Sequence, residues 1–106
     1  AEQGDAVAEN NLGILYREGH GGQPDDAEAA KWFRKAAEQG LAHSQHNLGG
    51  MYETGQGVAK DEVEAYLWYS LSAAAGYDAA RAAMESLAAR MRPEQVAEAE
   101  KRAKKH

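Results

Sequence analysis

Cysteine is absent from this 106-residue chain, which excludes disulfides and thiolate metal sites. It does not set the compartment, because many exported proteins lack disulfides. Proline occurs only twice, at Pro24 and Pro93, both near expected helix starts. No apolar run approaches the ~20 residues that span a bilayer, so no membrane insertion is expected. No signal-like segment is present either. Basic residues are outnumbered 12 to 17, leaving a net charge of −5. Nucleic-acid binding requires a basic face, so that class is disfavoured. The one basic cluster is Lys101, Arg102, Lys104 and Lys105. Cations there complement the dipole of a final helical turn.

Catalytic signatures are missing too. Ser44, Ser70, Ser72 and Ser86 are followed three residues on by Asn47, Ala73, Ala75 and Ala89, so none begins a Ser-x-x-Lys motif. No Gly-x-Ser-x-Gly is present. Gly19-His20-Gly21-Gly22 lacks the Lys-Ser/Thr and the preceding strand of a phosphate loop, and reads as a connector. No enzyme activity and no cofactor are expected.

What the chain does contain is a repeat. Ala1-Glu2-Gln3-Gly4 returns 36 residues later as Ala37-Glu38-Gln39-Gly40, and Asn11-Leu12-Gly13 as Asn47-Leu48-Gly49. Tyr16, Gly19, Gly21, Asp25, Glu28, Ala29 and Trp32 return as Tyr52, Gly55, Gly57, Asp61, Glu64, Ala65 and Trp68, without a gap. A fixed period of this size marks units that bury their apolar faces against their neighbours.

Each unit splits into two helices. In the first, Ala6, Leu12 and Tyr16, like Ala42, Leu48 and Tyr52, recur at helical spacing. The Gly-x-Gly pairs stop it, since glycine accepts the left-handed conformation after a helix. The second helix opens at Asp25 or Asp61, each with a glutamate three residues on, the arrangement of a capping box. Its apolar face is Ala29, Trp32, Phe33 and Ala36, matched by Ala65, Trp68, Tyr69 and Ser72. Gly40 and Gly76 close these helices.

The third unit decays. Met84 replaces the leucine, Glu85 the glycine and Ala88 the tyrosine. A helix is expected from about Asp78 to Met91, then another from Pro93, because proline suits a first helical turn. Val96, Ala99 and Ala103 give that last helix a narrow apolar stripe and a charged back, as a terminal cap requires. Ala1 to Gly4 matches the last turn of a second helix. The chain is therefore expected to begin in the tail of a preceding helix, with a repeat upstream. The helix count expected is five complete helices and an N-terminal remnant.

The combined pattern, Ala-Glu-x-Gly-x-Ala, Leu-Gly-x-x-Tyr, Gly-x-Gly, Asp and Trp-aromatic, resembles the Sel-one-like repeat (SLR) family, α/α repeats similar to tetratricopeptide repeats. The resemblance is strong over residues 1–72 and degenerate over 73–106. Gly22 departs from the valine seen at Val58. The resemblance implies an all-α, right-handed α/α superhelix, an α-solenoid whose first helices line a concave face. The units are repeat 1 at 1–36, repeat 2 at 37–72, a degenerate third repeat at 73–92 and a C-terminal capping helix at 93–106. It also implies an adaptor or scaffold role in a bacterium, with export to the periplasm or envelope ahead of the cytoplasm. β-Lactam-related relatives are cysteine-rich, so their activity does not carry over; a structural spacer is the other alternative.

Two sets of positions compete for function. The first-helix face beside the packing residues reads Val7, Asn10, Ile14 and Arg17 in repeat 1, and His43, His46, Gly50 and Glu53 in repeat 2. Variation on a constant scaffold suits recognition of a protein or peptide partner. Gly50 is expected to deepen the groove where Ile14 projects. Asn11 and Asn47 are repeated, and are expected to satisfy backbone groups of a neighbouring helix, or else to meet a bound peptide. His43 and His46, with loop His20, are too few for a metal site, and none is expected. Asp25-Asp26 and Asp61-Glu62 could suggest acid–base pairs, but their position fits capping. Around Val7, Ile14 and Leu15 an uncovered apolar face is expected to give weak self-association.

Overall fold

The computed structural model describes residues 3–19 and 22–106, and among them it has six α-helices and no strand. They are α1 (Gln3–Glu18), α2 (Asp26–Glu38), α3 (Ala42–Thr54), α4 (Glu62–Ala74), α5 (Asp78–Ala88) and α6 (Pro93–Ala103). The count exceeds the five expected, although the elements placed one by one, two in each of the first two repeats, one from Asp78 and one from Pro93, already number six. Gly4 lies within α1 instead of closing an earlier helix, and α5 stops at Ala88, short of Met91. Ala1, Glu2, His20 and Gly21 lie outside the described residues.

Capping sets the long-helix starts. Asp25 and Asp61 accept from the N–H of Glu28 and Glu64 at 3.0 and 3.1 Å. The reciprocal half of the box does not form. The N–H of Asp25 already donates to the Tyr16 carbonyl at 2.8 Å, and that of Asp61 to Tyr52 at 2.9 Å. With no donor left to take, Glu28 turns to Lys31 at 3.4 Å and Glu64 to Arg102 at 3.0 Å. Gly55 ends α3 at φ +79°, and its N–H donates to the Met51 carbonyl at 2.7 Å.

The helices stack in chain order. α1 packs on α2, α3 on both α2 and α4, and α5 on α4, in a body of 42 × 28 × 21 Å. One core joins Ala29, Ala30, Phe33 and Ala37 of α2, Leu48 and Met51 of α3, and Trp68 of α4. A second joins Ala65, Tyr66 and Tyr69 of α4 with Leu87, Met91 and Ala99. Each large apolar side chain buried here contributes roughly 1.5–3 kcal/mol.

The repeat predicts equal burial at equivalent positions, and α1 departs from it. Leu48 is 0% exposed, whereas Leu12 is 36% exposed, and Tyr16 is also exposed. Leu48 is covered by α2; no helix of the described residues stands in that place beside α1. Val7 and Leu15 are exposed as expected, but Ile14 is half-buried against the first core.

The last unit is splayed. In the first two units the paired helices pack closely; α6 instead lies mainly against α4. Ala99 is fully buried there, the Tyr66 hydroxyl donates to Glu100 at 3.3 Å, and Arg102 bonds Glu64 and Glu98. The sequence supplies a reason. α5 carries Glu85 where Gly13 and Gly49 receive an aromatic ring, and α6 has no aromatic to offer.

Candidate binding cleft

The constant positions determine how closely helices approach. A Cβ on Gly13 would stand 2.7 Å from the Phe33 ring, and one on Gly49 2.8 Å from Tyr69. Each unit thus seats the aromatic of its second helix against a glycine of its first. The variable positions decorate this frame differently. In repeat 1 the Arg17 guanidinium lies 5.3 Å from the centre of the Phe33 ring, a cation–π contact. In repeat 2 the equivalent pair is Glu53 and Tyr69, and the Tyr69 hydroxyl donates to Glu53 at 2.6 Å.

Arg17, His46, Asn47, Gly50, Met51, Thr54 and Gln56 surround an open cleft of about 270 Å³ between α1 and the C-terminal half of α3. Glycine at 50 leaves it room, since its nearest non-local neighbour would be the Tyr69 hydroxyl, 3.5 Å from an added Cβ. Met51, almost fully buried, is its apolar contribution. Thr54 donates to the Gly50 carbonyl at 2.9 Å.

His46 packs on Tyr69 and Tyr77 at ring separations of 5.5 and 5.1 Å, while His43 meets Tyr77 at 5.6 Å. Burial, then the neighbouring His43, holds His46 below the ordinary histidine range, with Glu53 opposing. Its Nδ1 is buried without a hydrogen-bond partner. Glu53 is occupied by Tyr69 and by Arg90 from beyond α5. Burial, then the hydrogen bond and charge of Glu53, keeps the Tyr69 hydroxyl protonated, with Arg90 opposing.

The ten residues expected on the face therefore separate. Arg17, His46, Asn47 and Gly50 meet at the cleft. Val7, Asn11 and His43 are exposed outside its lining, Ile14 packs inward, and Glu53, also outside the lining, is held by Tyr69 and Arg90. Asn10, only 5% exposed, lies between the helices, where its Oδ1 accepts from Ser44 at 2.7 Å and Asn47 at 3.4 Å. The repeated asparagines are not equivalent: Asn47 serves a side chain rather than backbone, and Asn11 faces solvent. Thr54, Gln56, Tyr77 and Arg90 complete the surroundings without having been singled out, and Tyr69, expected only as a packing residue, joins them. Thr54 follows the helical register of Gly50, while Gln56 lies past the left-handed cap at Gly55, and the contact with Arg90 bridges residues 37 apart and has no local signal.

Among the described residues no group of three or more His, Asp or Glu side chains could hold a metal; His20 lies outside them. No helix among them is long and apolar enough to cross a membrane.

Two Sel1 repeats match the sequence, at residues 6–41 and 42–77, with the same 36-residue period. The chain belongs to the Sel1 repeat family. It is similar to a Sel1 repeat protein from Oxalobacter formigenes, at 41% identity and TM-score 0.76 over 80% of this chain and 35% of that one. It is also similar to a protective antigen present in uropathogenic Escherichia coli strains, which displays an SLR fold. That match has 32% identity and TM-score 0.91, over 97% of this chain and 22% of the other. This Sel1 repeat chain thus spans about a third and about a fifth of those two proteins. The comparison with curated proteins returned no match. As an SLR fold, it has an architecture that generally mediates protein–protein interactions.

Proposed function

We propose that this Sel1 repeat chain is an interaction module that binds an extended segment of a partner protein along the first-helix face, with the cleft at Gly50 as its anchor. The observation that carries this is the contrast between constant and variable positions. Gly13/Phe33 and Gly49/Tyr69 keep one packing solution, while Ile14 becomes Gly50 and Arg17 becomes Glu53. The frame is preserved and the chemistry it presents changes. A few such residues normally carry most of an interface's affinity. A spacer role would require no cleft there, and among the described residues lining it the one hydroxyl, Thr54, is bonded to the Gly50 carbonyl instead of to a base.

The test is partner capture from the source cell, followed by affinity measurement with variants. His46→Ala is expected to weaken binding by more than ~1 kcal/mol with the fold intact. Lys35→Ala, on the outer surface over the Trp32 ring, is expected to do little. Disruption by the outer-face change alone would overturn this assignment.

A further inference from the structure

The cleft differs in charge from three other depressions among the described residues of this acidic molecule. The one beside Lys60 carries Asp61 and Glu62, the one beside Gly40 carries Glu38, and the one beside Leu71 and Ala103 carries Glu100 together with Lys104. Among the described residues no carboxylate lines the cleft at Gly50, and the one formal charge there is Arg17. Among the described residues no ion pair holds Arg17, which rests on the Phe33 ring. The nearest candidate to cancel it from α3 is Glu53, already engaged by the Tyr69 hydroxyl and by the cation of Arg90. The remaining polar groups around the cleft are the amides of Asn47 and Gln56, the Thr54 hydroxyl and the His46 ring.

We infer that this cleft takes an acidic side chain: the carboxylate of an aspartate or glutamate in an extended partner segment, paired with Arg17 and seated in the space left by Gly50. The inference rests on the groove reading above and names its preferred ligand. Three features converge on it. A guanidinium presents donors matched to a carboxylate. Its present partner, an aromatic face, leaves those in-plane donors unused. The cleft is wide enough for a side chain because the position equivalent to Ile14 is a glycine. A basic partner segment finds no counter-charge here, and a purely apolar one leaves Arg17 without a partner.

The probes are three acetylated, amidated heptapeptides, six alanines around a central Glu, Gln or Lys, titrated at low salt into isotope-labelled protein and followed by NMR. The Glu peptide is expected to shift resonances of Arg17, His46, Asn47, Gly50 and Gln56, and to bind about tenfold or more tightly than the Gln peptide. Arg17→Gln removes that preference and Arg17→Lys retains part of it; backbone spectra of both variants report whether the fold is intact. Added salt weakens only the Glu peptide. Equal binding of the Glu and Gln peptides in the cleft overturns the acidic preference and leaves the groove reading standing. Shifts confined to the outer face, or none at millimolar peptide, overturn both.

Discussion

Tyr69 fills the space that a side chain on Gly49 would need: an added Cβ would stand 2.8 Å from the ring and 3.2 Å from the Ala65 carbonyl. One residue on, Gly50 is open, with only the Tyr69 hydroxyl at 3.5 Å. Two adjacent helical glycines therefore answer the same substitution in opposite ways. Gly49→Ala is expected to cost about 1–3 kcal/mol through overpacking. Gly50→Ala is expected to stabilise by about 0.5–1 kcal/mol, the helical penalty of glycine. Urea unfolding measures both, and equal effects would show that the ring approach does not require the glycine.

Gly57 makes the same point with backbone. It sits at φ +74°, and a Cβ would stand 2.2 Å from the Asp26 carbonyl oxygen, so the repeat-2 loop lies directly on the start of α2. Gly57→Ala combines left-handed strain with a clash against main chain that cannot swing away. A loss of roughly 2 kcal/mol or more is expected in thermal or urea unfolding. Gly22→Ala meets nothing within 4 Å and is expected to be neutral or slightly stabilising.

Local rules made much of this fold legible. Asp25 and Asp61 cap helices and Gly40, Gly55 and Gly76 take positive φ, because each depends on chemistry within a few residues. What was not legible depends on neighbours. Leu12 and Leu48 are the same residue in the same motif, and only the presence of α2 beside Leu48 separates them. The docking of α6 on α4 rests on Ala99 meeting Tyr66 across a degenerate unit whose period no longer guides the reader. At the cleft, the changes from Ile14 to Gly50 and from Arg17 to Glu53 could be read from the repeat. The rings of Tyr69 and Tyr77 around His46 could not, because α4 and the turn that follows it bring them.

Asn10 and Ser44 form a buried polar link between α1 and α3, at 2.7 Å. Ser44→Ala removes the close donor and leaves Asn10 Oδ1 with only Asn47, at 3.4 Å. A loss of about 1–3 kcal/mol is expected, because a buried acceptor loses its good partner. Little change in urea stability would mean that water replaces the hydroxyl.

The pH response follows from His46. Its folded pKa lies below its ordinary value of 6.5, chiefly through burial. The unfolded chain then binds more protons between the two values, so stability rises with pH in that window. The favourable contribution is present above 6.5 and is lost as pH falls through the folded pKa. NMR titration is expected to place His46 below 6.5. Unfolding at pH 7.5 and 5.0 is expected to show a smaller difference for His46→Gln than for the parent. An unchanged difference would assign the response to other groups.

Leu12 and Leu48 allow the cost of a missing neighbour to be measured. Leu48→Ala opens a cavity among Ala29, Phe33, Met51 and Trp68, and is expected to cost about 2–5 kcal/mol. Leu12→Ala, at a surface already reached by water, is expected to cost under about 1 kcal/mol. The exposed stripe of Val7, Leu12, Leu15 and Tyr16 is also expected to support weak self-association, which charged substitutions at Leu12 and Leu15 abolish. Sedimentation of the parent as a strict monomer at high concentration would count against the association. Equal losses for the two alanine variants would mean that Leu12 is covered in solution, and the difference between the two repeats would then need another cause.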